Sequence, residues 1–433
     1  MDQRGRRRAH ACLAMGMVLT VGVALVLLTP WRLSDDGTAV TVPRLPLTAD
    51  FTPAEIEASR RLQRLIQPPA YLTTVASTVL LALLGLTGWG SRLCAVVTRG
   101  VRVWWVRVAL GSLALLVVVR LAVLPFDVWL ELARRHVDAS THGWGAWARD
   151  LAAGFALVCA VVVALLLTLV GLARRFPRWW CVPAAVLAGL AVAVGSAVYP
   201  VVVEPLQYRF TPLPPGGLRS SLLELAERDG IQLTEVLVAD ASRRTTRVNA
   251  YVSGVGPTWR LVLYDTLLEQ ATPEQIRLIV AHELGHARRH DVARGTALGA
   301  LAAVAGVVVL GYLLDSRWLT RRARVRSAAD PRAVALVLAL VAVGALVAAP
   351  IHNLVSRRVE ARADVHALDL TRDPAGYARV HRWLAVTNRS DLEPSPVLFG
   401  WFATHPAPPH RLGVVRWWVA HRGEPQIPAL AGQ

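Results

Sequence analysis

Residues 279–291 read IVAHELGHARRHD. An apolar run passes into two histidines, a glutamate and a basic tail. The stretch is either an ordinary helix with a polar face or a metal site. Just upstream, Thr272 can serve as an N-cap, Pro273 takes the first helical position and Glu274 falls in the first turn. A helix from about 273 puts His282 and His286 one turn apart on one face, where two imidazoles can hold one zinc ion. Glu283 adjoins the first histidine and can reach a water activated by the metal to take its proton. HExxH is short and arises by chance in many unrelated chains, so it decides nothing alone.

A third ligand would decide more. No carboxylate lies between Val292 and Leu314, where a thermolysin-like site needs a glutamate. Val292 stands where a metzincin needs its last histidine. His290, four residues after His286, is either a ligand or an interfacial polar residue. Asp315 and Asp330 fall in a loop between two apolar runs, on the far side of a membrane from HExxH. SRRVEARADVHALDL (356–370) reads as a second helix, with Glu360 and Asp364 one turn apart. Two apolar runs separate the two helices, so both emerge on the same side. Glu360 is then a geometrically reasonable third ligand, and Asp364 an acceptor that orients a ligand histidine. The plainer alternative is a salt-bridged helix face with Arg358 and Arg362.

The rest of the chain supplies the membrane. It has 433 residues, 54% of them hydrophobic, and a formal charge of +17. That apolar share exceeds a soluble domain's. Every basic residue is arginine, in short clusters between apolar runs. The pattern fits membrane-flanking loops better than a nucleic-acid surface, so no nucleic-acid partner is expected. Runs long enough to cross about 30 Å of hydrocarbon lie near 11–29, 70–90, 108–126, 151–173, 182–203, 295–314 and 333–351. The first follows RGRRR but lacks a small-residue cleavage site, so it reads as an uncleaved anchor. Arg120 sits inside the third, facing a cavity or partner, or snorkelling from a misplaced span end. Cys12, Cys94, Cys159 and Cys181 form no CxxC and suggest neither disulfides nor a thiolate site.

The expected fold is therefore an α-helical multi-pass membrane protein, about seven transmembrane helices carrying a small α+β zinc-metalloprotease unit. Residues 1–203 form an N-terminal membrane region of about five helices and 295–351 a transmembrane hairpin. The catalytic segments are 204–294 and 352–433. Within them VLVAD (236–240) and RLVLYD (260–265) read as strands, and LRSSLLELAERDG (218–230) as a helix stopped by Gly230. A hairpin is expected with strands near 248–253 and 260–265.

Several stretches in chain order resemble the type I CAAX prenyl endopeptidases, integral-membrane zinc metalloproteases. They are EPLQYRFTPLPPGGLRSSLLELA (204–226), VLVADASRRTTRVNAYVSG (236–254), RLVLYDTLLEQ (260–270), VAHELGHARRHD (280–291), EARAD (360–364) and THPAPPHRL (404–412). The resemblance covers roughly residues 200–412; the first 200 match in hydropathy only. It implies one zinc per chain on His282, His286 and Glu360, with Glu283 as general base. Asp364 matches the acidic residue one turn after the third ligand. His405 and Arg411 match a late histidine and arginine that face the site, where either can stabilise an oxyanion. NAYVSG matches an edge strand along which a substrate peptide pairs near Asn249, Ala250 and Tyr251. Heat-shock-type membrane proteases share these core residues, so the resemblance implies peptide or membrane-protein substrates without requiring a prenyl group. An inactive scaffold and a transporter are the rival readings; neither explains HExxH together with Glu360 and His405.

Orientation follows from arginines in short loops. Segments 1–10, 91–107, 174–180 and 315–332 hold 17, and 30–69 with 127–150 hold 8. The first set reads as cytoplasmic in the cell membrane, which places the catalytic segments outside. The eukaryotic members of the family imply a cytosol-facing site instead.

Overall fold

The computed structural model describes residues 3–32, 42–43, 45–254 and 259–431. The tip of the expected hairpin and Arg44 lie outside the described residues. Among the described residues, seven helices are long and apolar enough to cross a membrane, matching the expected count. They are α1 (Gln3–Leu28), α2 (Pro53–Leu86), α4 (Trp104–His136), α5 (Trp144–Arg175), α6 (Cys181–Val198, continuing through Glu204–Gln207, α7), α11 (Asp291–Leu314) and α13 (Val334–Thr371). Short helices α3 (Trp89–Val97) and α12 (Arg317–Arg322) close one end of the bundle. The chain is a multi-pass membrane protein.

Arg120 finds its partner inside its own helix. Its guanidinium lies 2.7 Å from Asp127, so neither charge meets hydrocarbon alone. All four cysteines are free. Helices α2 and α13 touch at Gly85, where a Cβ would lie 2.4 Å from both the Ala335 carbonyl oxygen and Ala339 Cβ. Only a residue without a side chain lets the two backbones approach so closely.

The expectation that a span ends near 351 and a second, separate helix covers 356–370 is corrected. Helix α13 runs unbroken for 38 residues through Pro350. A proline removes the N–H that would bond the carbonyl four residues back, here Leu346, and normally kinks the helix. The Trp401 indole N–H donates to that carbonyl at 3.1 Å. A side chain from 55 residues downstream thus satisfies the orphaned group, and the rod carries Glu360 from the membrane into the catalytic unit.

That unit is α+β. A four-stranded sheet has the order β1 (Phe210–Pro212), β2 (Glu235–Ala239), β4 (Arg260–Tyr264), β3 (Ala250–Ser253). β2 and β4 are parallel; β3 runs antiparallel to β4 and, among the described residues, forms a free edge. Helix α8 (Gly217–Arg228) ends before Gly230, whose φ of +72° suits glycine. The sheet packs on α10 (Pro273–Arg288), with α9 (Asp265–Gln270) leading into it. Helices α14 (Pro374–Thr387), α15 (Pro396–Phe402) and α16 (Pro408–Arg422) complete the unit. Its core includes Leu261, Leu284, Tyr377 and Trp418, joined by Phe51 and Ile56 from the N-terminal region.

Trp401→Phe keeps the ring and deletes the N–H. The expected result is a loss of about 0.5–1.5 kcal/mol, the net worth of one hydrogen bond, read as a lower Tm in detergent. An unchanged Tm would mean that Leu346 has another donor.

Candidate active site

Helix α10 begins with a reciprocal capping box, in which the Thr272 hydroxyl accepts from the Gln275 N–H and the Gln275 side chain accepts from the Thr272 N–H. The helix ends at Arg288, and His290, two residues on, adopts the left-handed region at φ 52° and turns the chain into α11. This fixed rod carries His282 and His286 on its inner face. Helix α13 crosses it and brings Glu360 opposite. One donor atom from each of His282, His286 and Glu360 lies within 4.8 Å of the others. The two Nε2 atoms are 3.3 Å apart, and the Glu360 oxygens lie 3.3 Å from His282 and 3.6 Å from His286. Two imidazole nitrogens and a carboxylate are the donor set of a three-ligand zinc centre with a fourth position left for water or substrate. His290 is not among the converging donors; it stacks on Trp259 at 5.6 Å.

Each histidine is held from behind. Asp364 is fully buried and lies 3.0 Å from His282 Nδ1. It also accepts from the Tyr377 hydroxyl at 2.8 Å and from Arg411 Nε at 3.0 Å. Burial alone would lower the Arg411 pKa, but Asp364 beside it raises it, so the guanidinium stays charged. Asp291 does the same for the second histidine, 3.0 Å from His286 Nδ1, and Arg362 donates to its other oxygen. Arg362 therefore does not form the simple helix-face pair that the sequence allowed. Neither Tyr377 nor the role of Asp291 was expected. Asp291 could have been noticed as a carboxylate five residues after His286; Tyr377, in a separate helix, left no signal.

Glu283 is half-buried, and burial raises its carboxyl above the ordinary glutamate value. A base that must keep a proton briefly benefits from that shift. His405 sits on the loop after α15, its Nε2 3.4 Å from Glu360, with most of its side chain exposed. Arg357, one turn before Glu360, donates to the carbonyls of Phe399 at 3.2 Å and Ala403 at 2.6 Å, which holds that loop to α13. Of the expected edge residues, Ala250 and Tyr251 lie in β3, and Asn249 precedes it with its carbonyl accepting from the Tyr264 N–H.

The whole fold is similar to the crystal structure of S. mikatae Ste24p, with a TM-score of 0.73 and 20% identity, over 96% of this chain and 99% of that one. A protein of Bacillus subtilis (strain 168), "Uncharacterized metalloprotease YhfN", is 31% identical over 291 residues, 66% of this chain and 68% of the relative. The chain is a membrane metalloprotease. Residues 212–419 match the Peptidase family M48, and the chain belongs to that family. "CAAX prenyl protease 1 homolog" of Arabidopsis thaliana is also similar, 31% identical over 230 residues, about half of each chain.

The geometry predicts how metal content responds to substitution. Glu360→Ala removes one of three converging donors and should abolish stoichiometric zinc in purified protein. Asp364→Ala should retain zinc with an affinity about 10- to 100-fold weaker. Metal analysis with chelator competition reads both; full occupancy in Glu360→Ala would move the third ligand elsewhere.

Proposed function

We propose that the chain is a zinc-dependent endopeptidase that hydrolyses peptide bonds in protein or peptide substrates at the membrane surface. The observation that carries this reading is the convergence of His282, His286 and Glu360 with Glu283 on the same helix. The first three would hold the ion. When bound, zinc supplies Lewis acidity, polarising a carbonyl and making water a nucleophile near neutral pH. Glu283 takes the proton of the attacking water on its carboxylate and passes it to the leaving amine. His405 has its Nδ1 2.9 Å from the Thr404 hydroxyl, and its Nε2, beside Glu360 and largely exposed, would donate a hydrogen bond to the oxyanion. Arg411 commits its donors to both oxygens of Asp364, so we read it as a positioning group. Substrate adds as a strand to the free edge of β3, where main-chain bonds hold it in extended form.

A silent scaffold needs none of this arrangement, and a transporter does not need a free sheet edge beside it. The arginine balance favours a site outside the cytoplasm of the cell membrane.

Glu283→Gln should abolish casein cleavage with zinc still bound, and His405→Ala should keep zinc and lose about 100- to 1,000-fold in kcat. Near-normal turnover in Glu283→Gln would end the base assignment. An unchanged kcat with a higher KM would make His405 a substrate-positioning residue.

For orientation, Ser390→Cys in a cysteine-free background should react with a membrane-impermeant maleimide on intact cells. Labelling only after permeabilisation would place the site in the cytoplasm.

A further inference from the structure

The free edge of β3 is interrupted at one end, and the interruption is a side chain. Ala250 lies opposite Leu263, and the Tyr264 N–H donates to the Asn249 carbonyl. In an antiparallel ladder, paired residues alternate between bonding each other and facing away. Asn249, Tyr251 and Ser253 therefore bond towards β4. The N–H and C=O of Val248, Ala250 and Val252 point to the open side. Arg247, on the other parity, agrees: its carbonyl accepts from Thr266 on the inner side, at 2.7 Å.

Val248 is already occupied. Its N–H donates to Asn388 Oδ1 at 3.0 Å, and its carbonyl accepts from Asn388 Nδ2 at 3.1 Å. A primary amide has one acceptor and two donors on a planar group, so it imitates the peptide of a neighbouring strand. Asn388 is the C-cap of α14, and the residues after it are fastened. Gln63 donates to the Arg389 carbonyl at 2.9 Å and Ser59 to the Ser390 carbonyl at 2.8 Å, both from α2. Arg389 in turn donates to the Val137 carbonyl, at the end of α4.

We infer that Asn388 is a built-in strand residue that closes the Val248 end of the substrate edge, so that a bound polypeptide pairs with Ala250 and Val252 and stops there. Asn388 is then a specificity-determining residue that fixes register and usable length. It reads no side chain, because its partners are main-chain groups. The inference rests on the reading that substrate adds to β3, and the test separates the two.

A casein-derived peptide with a mapped cleavage site is extended residue by residue at each end, and kcat and KM are measured for wild type, Asn388→Ala and Val252→Pro. Val252→Pro removes an outward N–H without touching the β4 ladder, and should raise KM for every peptide. In wild type, extension beyond the Val252–Ala250 pairings should leave KM flat. In Asn388→Ala, Val248 opens and two more main-chain bonds form. KM for the extended peptides should then fall about 5- to 100-fold, with kcat and zinc content unchanged and the cleavage sites spread over more than one register. Asn388→Asp keeps the acceptor for the Val248 N–H but loses the donor, and should give an intermediate profile even if the alanine variant folds poorly. An unaffected Val252→Pro overturns strand addition itself. A raised KM in Val252→Pro with wild-type length profiles in both Asn388 variants overturns the role of Asn388 alone.

Discussion

A carboxylate with no contact to water must have its charge met by protein, and Asp364 is such a carboxylate. Its partners come from three other helices, His282 from α10, Tyr377 from α14 and Arg411 from α16. Moving any one of these helices would strand a buried charge, which costs several kcal/mol. The same contacts fix the His282 ring, with Nδ1 on Asp364 and Nε2 on Glu360. Asp291 and Arg362 repeat the device at His286. Each imidazole is thus backed by a carboxylate that is itself backed by an arginine. Orientation is set before a metal arrives, which reduces the reorganisation that binding must supply.

The membrane bundle supplies the other half of that precision. Glu360, Asp364 and Arg362 share one helix with the span that begins at Val334. Their placement depends on that helix staying continuous through Pro350, where Trp401 satisfies the carbonyl the proline leaves without a donor. Trp401 belongs to α15, whose exit loop carries His405 and is tied back to α13 by Arg357. The segment that relieves the proline also delivers a side chain to the active site. Close contact at Gly85 holds the base of α13 against α2. The upper part of α2 contributes Ile56 to the catalytic core and grips the residues after Asn388.

The sequence was readable where one helix or strand carried the information. Helical periodicity placed His282 beside His286 and Glu360 beside Asp364, and short β-type runs between turn residues placed β2 and β4. The number of spans followed from hydropathy, because hydrocarbon thickness sets span length. What could not be read depended on pairs distant in sequence. Pro350 looked like a boundary because its compensation comes from residue 401. Tyr377 lies in a helix that Asn388 caps, and the pattern of that helix alone says only that one face is buried. Arg362 looked like a surface partner because its acceptor, Asp291, belongs to another helix. Local propensity finds elements; these contacts arise only when elements meet.

Recognition along a sheet edge has a consequence for what such a site can select. Main-chain bonds are common to every sequence, so affinity from β3 favours any segment able to become extended and disfavours one locked in a helix or a folded core. Selection then falls to access. A transmembrane helix would first have to unwind, and a loop or loosened terminus at the membrane surface would not. With Val248 closed by Asn388, the edge offers few main-chain bonds, each worth about 0.5–1.5 kcal/mol net. Such a grip is weak enough to release products and too weak to unfold a stable domain. On this reading the site acts on chain that is already extended at the membrane surface, and the choice of substrate is made by what leaves such chain exposed there.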